Sequence, residues 1–365
     1  KGATAISWDT AHSEIGAKLA QLKEANETVV LLTGTLASPS TDQIILEFTA
    51  AYPNVKHVAY DAISESGTAD AFEAMFGTRA VPNYHFDKAH TIVSFGADIL
   101  GDWQGGFDKG YAASRKPDSG HMSYHVQFEA NMSLTGANAD KRVVAKPSDQ
   151  IFALINLYNT ITGASLPSKA TPVDAHIKEV AAALKKSGSH GVVVTGSSDK
   201  NAQLIAFAIN DALQSEVFDA ANPLHIRKGN DAELAQVVAD MKAGKVKGLL
   251  TYNVDPVYNL SVGTDFAEAI KKLDLSVAMS VQNDDTANAT QFTLPMTHFL
   301  ESWGDVMMTE GNYGLIQPTI QKLFNTAQFQ EVLLKWSGNT TSYHDYLKGY
   351  WSTNVLGGKS WNQAL

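Results

Sequence analysis

The sequence predicts an α/β protein made of two doubly wound parallel-sheet lobes. Continuous apolar, β-branched runs at Thr28 to Thr33 and Gly191 to Thr195 alternate with amphipathic helical stretches, the pattern of a parallel sheet covered on both faces. Each run ends in a glycine turn, so Thr33-Gly34-Thr35 is answered by Thr195-Gly196-Ser197 and the strand, turn, helix unit occurs twice. A chain of 365 residues, 44% of them hydrophobic, favours two domains over one.

In chain order, Ser7 is placed to cap a helix, and Trp8, Ala11, Ile15, Leu19 and Leu22 recur at helical spacing to give a docking helix with one apolar face. Beyond the strand Thr28 to Thr33, a helix from Ser40 to Tyr52 carries Ile44, Ile45, Phe48 and Tyr52 on one side. The first lobe, residues 1–165, continues with a strand Lys56 to Tyr60, a helix Thr68 to Phe76, and strands His90 to Phe95, Ser123 to Phe128 and Arg142 to Ala145. Gly163 to Pro172 reads as a linker, with Thr171 capping a helix that has Pro172 at its first position. The second lobe, residues 166–365, runs through a helix Asp199 to Gln214, a strand Leu224 to Arg227, a helix Asp231 to Met241, a strand Gly248 to Tyr252, a helix Asp265 to Leu273 and a strand Leu275 to Ser280.

Residues 292–318 carry more punctuation than a core element. Leu294-Pro295 closes a short strand, Glu301 and Gly304 open a loop, and Glu310-Gly311-Asn312 makes a second turn before Gln317-Pro318. That reads as a long functional loop or a compact surface loop. The C-terminal helices then carry Tyr343, Tyr346, Tyr350 and Trp351, a cluster suited to core packing or to a partner interface.

Composition excludes several functions. With a net charge of −10 and 28 basic residues spread without a run, the chain lacks the clustered positive footprint that nucleic acid demands. No apolar stretch approaches the ~20 residues of a membrane helix, so a role at a membrane requires other chains to hold this one there. There is no cysteine, hence no thiolate ligand for an iron–sulfur cluster or zinc and no disulfide. The start at Lys1 and the end at Trp361 to Leu365 suggest a piece of a longer polypeptide.

Ligands of open parallel sheets bind at the carboxyl ends of strands, which singles out Gly34, Gly96-Ala97-Asp98, Glu129-Ala130-Asn131, Thr195-Gly196-Ser197 and Asn253 to Pro256. The same glycines also serve as tight turns, and the chain has neither G-x-G-x-x-G nor G-x-x-x-x-G-K-[ST]. His121 and His125 share a strand face but lie ~13 Å apart, too far for one metal ion. Asp98/Asp102 and Asp284-Asp285 have the positions of caps, and no G-x-S-x-G elbow is present. The residues themselves therefore nominate no catalytic or metal-binding group.

Motifs across most of the chain resemble those of the molybdopterin oxidoreductase large subunits. Ile6-Ser7-Trp8-Asp9 matches the opening of their second domain, Asp285-Thr286-Ala287 their "ETA" turn, and Leu294-Pro295 followed by Glu310-Gly311-Asn312 the loop beyond it. The nearest resemblance is to the molybdopterin-oxidoreductase-like subunits of bacterial alternative complex III, the quinol:cytochrome c oxidoreductases. Gly96-Ala97-Asp98 is similar to the superfamily's GAN-type strand end and Asn253-Val254-Asp255-Pro256 to its "NP" loop. Two departures stand out: Glu129-Ala130-Asn131 replaces Asp-Pro-Arg, and Pro147-Ser148-Asp149-Gln150 replaces Pro-Gly-Thr-Asp. Loss of the arginine removes a charge-assisted donor to phosphate.

The resemblance implies Rossmann-like lobes of the molybdopterin oxidoreductase type that hold no molybdopterin. It leaves a vestigial pocket rim at Gly34, Gly96, Asp98, Asn131, Asp149, Gly196, Asn253, Asp255 and Glu310, with Trp303, Met307, Met308 and Tyr313 of the long loop filling the old site. It further implies iron–sulfur clusters (4Fe-4S and 3Fe-4S) elsewhere in the full polypeptide, a multihaem c-type cytochrome subunit and polytopic quinol-binding membrane subunits as partners. The location it implies is the periplasmic face of the bacterial inner membrane. The alternatives are an active bis-molybdopterin enzyme with its metal ligand outside this segment, and a small-molecule-binding α/β protein.

Overall fold

The computed structural model describes residues 4–103, 105–117, 120 and 122–365, so His121 lies outside the described residues. The chain forms two compact units, Lys1–Ser64 with Arg227–Leu365, and Glu65–Ile226, the second interrupting the first in sequence. The expected boundary near residue 165 is thereby corrected. Strands Thr28–Thr33 and Val55–Ala59 find their sheet with strands beyond residue 246, while Thr91–Phe95 pairs with Gly191–Thr195. Residues 163–172 join the packed helices Pro147–Thr162 and Asp174–Ser187 within one unit. Proline, serine and glycine there make a turn between helices, a composition that a domain linker shares. Asp174 accepts hydrogen bonds from Thr171 N–H and Oγ, so that helix starts two residues later than Thr171-Pro172 suggested.

In the first unit the sheet order is Phe292–Pro295, Leu275–Ser280, Val246–Tyr252, Thr28–Thr33, Val55–Ala59, every pair parallel. Val29 and Leu31 of the inner strand Thr28–Thr33 enter one core with Ile15, Phe48 and Leu333. Val30 and Leu32 enter another with Val237, Phe266 and Ile270. Two buried faces explain the unbroken apolar run, since each fully buried aliphatic side chain contributes about 1.5–3 kcal/mol.

The second unit has the order Lys141–Val144, Tyr124–Glu129, Thr91–Phe95, Gly191–Thr195, again all parallel. Val93, Phe95, Val126, Phe128 and Val193 pack under three helices, Pro147–Thr162, Asp174–Ser187 and Lys200–Ala212. The expected parallel strand at Leu224 to Arg227 is absent. Phe218–Leu224 instead pairs antiparallel with Val81–Tyr84, a pair whose Pro82 and Pro223 hid it from a pattern search.

Residues 304–316 correct the expectation of an irregular loop. Gly304–Thr309 and Asn312–Ile316 form an antiparallel hairpin closed by Glu310-Gly311, where Gly311 adopts φ 75°. Asp305 is 3% exposed and accepts hydrogen bonds from Ser38 Oγ (2.5 Å), Ser40 Oγ (2.8 Å) and Trp351 Nε1 (2.9 Å). Ser40 Oγ also lies 2.8 Å from the Tyr343 hydroxyl. Trp303 and Tyr313 pack against Trp361 and Trp351 respectively, so the C-terminal aromatic cluster belongs to this unit's core.

Replacing Asp305 with Ala would strand three donors in a dry site. We expect Asp305→Ala to lower unfolding free energy by about 3 kcal/mol in urea titration, and Glu310→Ala, at the exposed turn, to stay within about 0.5 kcal/mol. Equal small effects would contradict the keystone role of Asp305.

Candidate functional site

Each sheet has a point where its connections turn in opposite directions, and there the carboxyl ends of two strands leave room for ligands. In the first unit the point lies between Thr28–Thr33 and Val246–Tyr252, and in the second between Thr91–Phe95 and Gly191–Thr195. Gly34 therefore shares a unit with Asn253, and Gly196 with Gly96, the reverse of the lobe assignment expected from sequence.

At the first unit's point, a Cβ on Gly34 would stand 3.8 Å from Val254 Cγ1, and Asn253 leaves its strand at φ 48°. Asp61 accepts hydrogen bonds from Thr35 N–H (3.0 Å), Thr35 Oγ (2.6 Å) and Gly229 N–H (3.0 Å). Lys228 Nζ is 2.8 Å from Asp42, in the first turn of the helix Pro39–Ala51. That helix is capped by Ser38, whose hydroxyl donates to Asp305. The N-terminus that commonly attracts an anion thus already faces a carboxylate of the same unit. The hairpin backbone also meets the strand-end loop, Met307 N–H donating to the Ala37 carbonyl at 2.7 Å.

In the second unit the two glycines meet. A Cβ on Gly196 would fall 2.4 Å from the Gly96 carbonyl oxygen and 2.9 Å from Ala97 Cα. Gly96 itself has φ 68°, and a Cβ there would stand 2.8 Å from Gln150 Oε1. Both positions require glycine on steric grounds. Glu129 is turned inward and accepts from Ser133 Oγ (2.6 Å), Arg142 Nε (2.5 Å) and Gln127 Nε2 (3.2 Å). Burial opposes its ionisation, but the hydrogen bonds from Ser133 and Arg142 outweigh that and hold its carboxyl below the usual range.

One device serves both units. Asp98 accepts Thr135 N–H and Oγ (3.0 and 2.7 Å), and Thr135 Oγ accepts Leu100 N–H. Asp255 accepts Thr286 N–H and Oγ (3.0 and 2.6 Å), and Thr286 Oγ accepts Val257 N–H. In each case the aspartate stands two residues beyond a left-handed residue, Gly96 or Asn253, and the threonine is the second residue of a short helix after the next strand. The sequence signal lies in Leu134-Thr135-Gly136-Ala137-Asn138 and Asp285-Thr286-Ala287-Asn288-Ala289, where the threonines escape a search for charged site residues. Of the other expected rim residues, Asn131 is exposed, Asp149 lies in the first turn of Pro147–Thr162, and Glu310 sits at the hairpin tip. Among the described residues no group of three metal-ligating side chains occurs.

Behind the second unit's point, His125 and Gln127 line the same buried strand face as Glu129. Tyr111 hydroxyl lies 3.0 Å from His125 Nδ1, and Gln127 Nε2 donates to the Ala97 carbonyl at 3.0 Å. Burial and the Arg115 charge push the imidazole down to about 4, the Asp140 and Glu129 carboxylates opposing.

No family model matches the chain. Its sequence is 23% identical over 333 residues to the menaquinone reductase, molybdopterin-binding-like subunit of Nitratidesulfovibrio vulgaris (strain Hildenborough), covering 77% of this chain and 48% of the relative. The chain thus spans about half the length of that relative. Its fold is similar to that of acetylene hydratase from Pelobacter acetylenicus, with TM-score 0.67, 13% identity and coverage of 92% of this chain and 59% of that one. It is also similar to a chain of the formyltransferase/hydrolase complex (FhcABCD) from Methylorubrum extorquens, with TM-score 0.63, 14% identity and coverage of 92% and 96%. The structural likeness bears out the α/β fold class, and the sequence relative bears out the resemblance to molybdopterin-type subunits.

Two outcomes follow from this geometry. Gly96→Val should impair folding rather than turnover, lowering stability by at least about 2 kcal/mol, because a β-branched residue must adopt positive φ. An unchanged urea midpoint in Gly96→Val would contradict this. His125, with its folded pKa below the unfolded value of 6.5, binds fewer protons in the native state between about pH 4 and 6.5. Stability should therefore fall, by at most about 3 kcal/mol, as pH drops through that window. Urea titrations across the window should show the slope in the wild type and its reduction in His125→Gln.

Proposed function

We propose that the chain is a non-catalytic scaffold of the molybdopterin-oxidoreductase type, without a pterin cofactor, in a membrane-bound respiratory complex that transfers electrons between quinol and cytochrome c. The observation that carries this reading is the chemistry of the strand ends. A pterin dinucleotide is a polyanion, and such a ligand is held by free cations, N–H groups and helix N-termini. Here Arg142 is bound to Glu129, Lys228 to Asp42, and the helix Pro39–Ala51 faces Asp305. Asp61, Asp98 and Asp255 add carboxylates whose oxygens are engaged by loop threonines. These engaged groups support the reading of strand ends without the cofactor.

The setting is supported by the relative, named as a subunit of a menaquinone reductase. Among the described residues no helix is long and apolar enough to cross a membrane, in keeping with polytopic partner subunits supplying the anchor. On this reading a multihaem c-type cytochrome subunit is a neighbour, and iron–sulfur clusters are held elsewhere in the assembly by other sequence. The assembly faces the periplasm.

Elemental and pterin analysis of the purified intact complex tests the proposal. We expect neither molybdenum nor tungsten, and no oxidised pterin fluorescence, in stoichiometric amount. One or two pterins per chain would overturn it in favour of an active molybdopterin enzyme.

A further inference from the structure

Two fully buried side chains of the second unit leave an atom each, His125 Nε2 and Gln127 Oε1, without a hydrogen bond of good geometry. The residues share one strand face, and the Gln127 side chain stands close enough to the ring to favour its charged form. Gln127 Nε2 is committed to the Ala97 carbonyl (3.0 Å) and Glu129 Oε2 (3.2 Å), both acceptors, which leaves Oε1 to face the imidazole. A bare ring nitrogen there would meet the lone pairs of an oxygen, so the ring hydrogen belongs on Nε2. On the ring's other side, the Tyr111 hydroxyl lies 3.0 Å from Nδ1 and 3.1 Å from the Asn138 carbonyl. A phenol has one hydrogen for these two acceptors.

While the ring is neutral, Nδ1 is a lone pair in a dry site and takes that hydrogen. Once the ring is charged, Nδ1–H donates to the phenol oxygen, whose own hydrogen turns to Asn138. Neither state strands a ring nitrogen. We propose that His125 is a buried proton-uptake site with Tyr111 as its two-position switch: a proton added at Nδ1 reverses the Tyr111–His125 hydrogen bond and moves the hydroxyl hydrogen onto the Asn138 carbonyl. Gln127 Oε1 keeps Nε2–H in both states, so the Ala97 carbonyl behind Gly96 keeps its donor. The charged groups around the ring are themselves paired. Arg115, 5.5 Å from the centre of the Tyr111 ring, is bound to Asp140 (2.8 and 3.0 Å), which also accepts the His125 backbone N–H (2.7 Å). Glu129 is bound to Arg142, and Lys141 to Glu179. The adjoining strand Thr91–Phe95 has no ionisable residue, and Asp108 and Lys109 on the helix of Tyr111 are exposed. With these charges compensated, burial opposes the added proton and the two hydrogen bonds accommodate it.

Histidine-selective ¹⁵N NMR on the full 365-residue chain, with the His125 signals identified by their loss in His125→Gln, tests the switch. At pH 7 the ring should be neutral, with its hydrogen on Nε2 and Nδ1 bare. Gln127→Met removes the oxygen that holds Nε2–H, and the hydrogen should move to Nδ1, where Tyr111 accepts it. Tyr111→Phe keeps the ring packing but leaves a charged Nδ1–H unpaired, so the ratio of charged to neutral His125 at pH 5 should fall about tenfold. Urea midpoints verify that each variant is folded, and if one is not, the wild-type tautomer decides alone. A wild-type hydrogen on Nδ1 or a charged ring at pH 7 overturns the proposal. So does a hydrogen that stays on Nε2 in folded Gln127→Met, or an unchanged ratio in folded Tyr111→Phe.

Discussion

A carboxylate buried without a cation holds the first unit together. Among the described residues no lysine or arginine pairs with Asp305, and its charge is met by two serine hydroxyls, an indole N–H and the positive end of a 13-residue helix. Neutral donors suffice only when they are fixed, because a mobile donor would lose its advantage over water. Asp305 thus ties together the hairpin, the helix Pro39–Ala51 and the helix Tyr343–Asn354, alongside the Met307 N–H bond to the Ala37 carbonyl and the contact of the Ser40 and Tyr343 hydroxyls. The aromatic residues around it, Trp303, Trp351 and Trp361, exclude the water that would otherwise solvate it.

The strand ends follow the same economy. In an open parallel sheet the carboxyl ends of the strands are where backbone N–H groups and helix termini remain available. Here those loops close upon themselves: Asp61, Asp98 and Asp255 each take a threonine N–H and hydroxyl, and Gly196 brings its backbone onto that of Gly96. Satisfied loops of this kind are stable without a ligand.

The alternation of apolar strands and amphipathic helices made the fold class legible, because burial on two faces writes itself into consecutive residues such as Val29 to Leu32. Positive φ at Gly96 was legible too, from a glycine directly after a strand. What stayed hidden was which strand neighbours which. Thr28–Thr33 pairs with Val246–Tyr252 across most of the chain, and no local pattern encodes a partner at that distance. Asp305 escapes notice because an aspartate between glycine and valine in a punctuated stretch looks like a solvated turn. Its burial depends on Ser38, Ser40 and Trp351, far away in sequence. Thr135 is hidden for a related reason, since a threonine in the first turn of a short helix reads as an ordinary helix start, whereas Thr286 lies in the Asp285-Thr286-Ala287 turn that the motif comparison singled out.

The interruption of one unit by the other orders the birth of the protein on the ribosome. Glu65–Ile226 is contiguous, and its sheet is complete once Gly191–Thr195 has emerged. Thr28–Thr33, an inner strand of the other sheet, waits for roughly 200 further residues before its second neighbour exists. Throughout that interval an apolar strand with one free edge is presented to the cell, the kind of surface that chaperones shield and that misassembles when unshielded. The inserted unit is thus synthesised while its host is still half made.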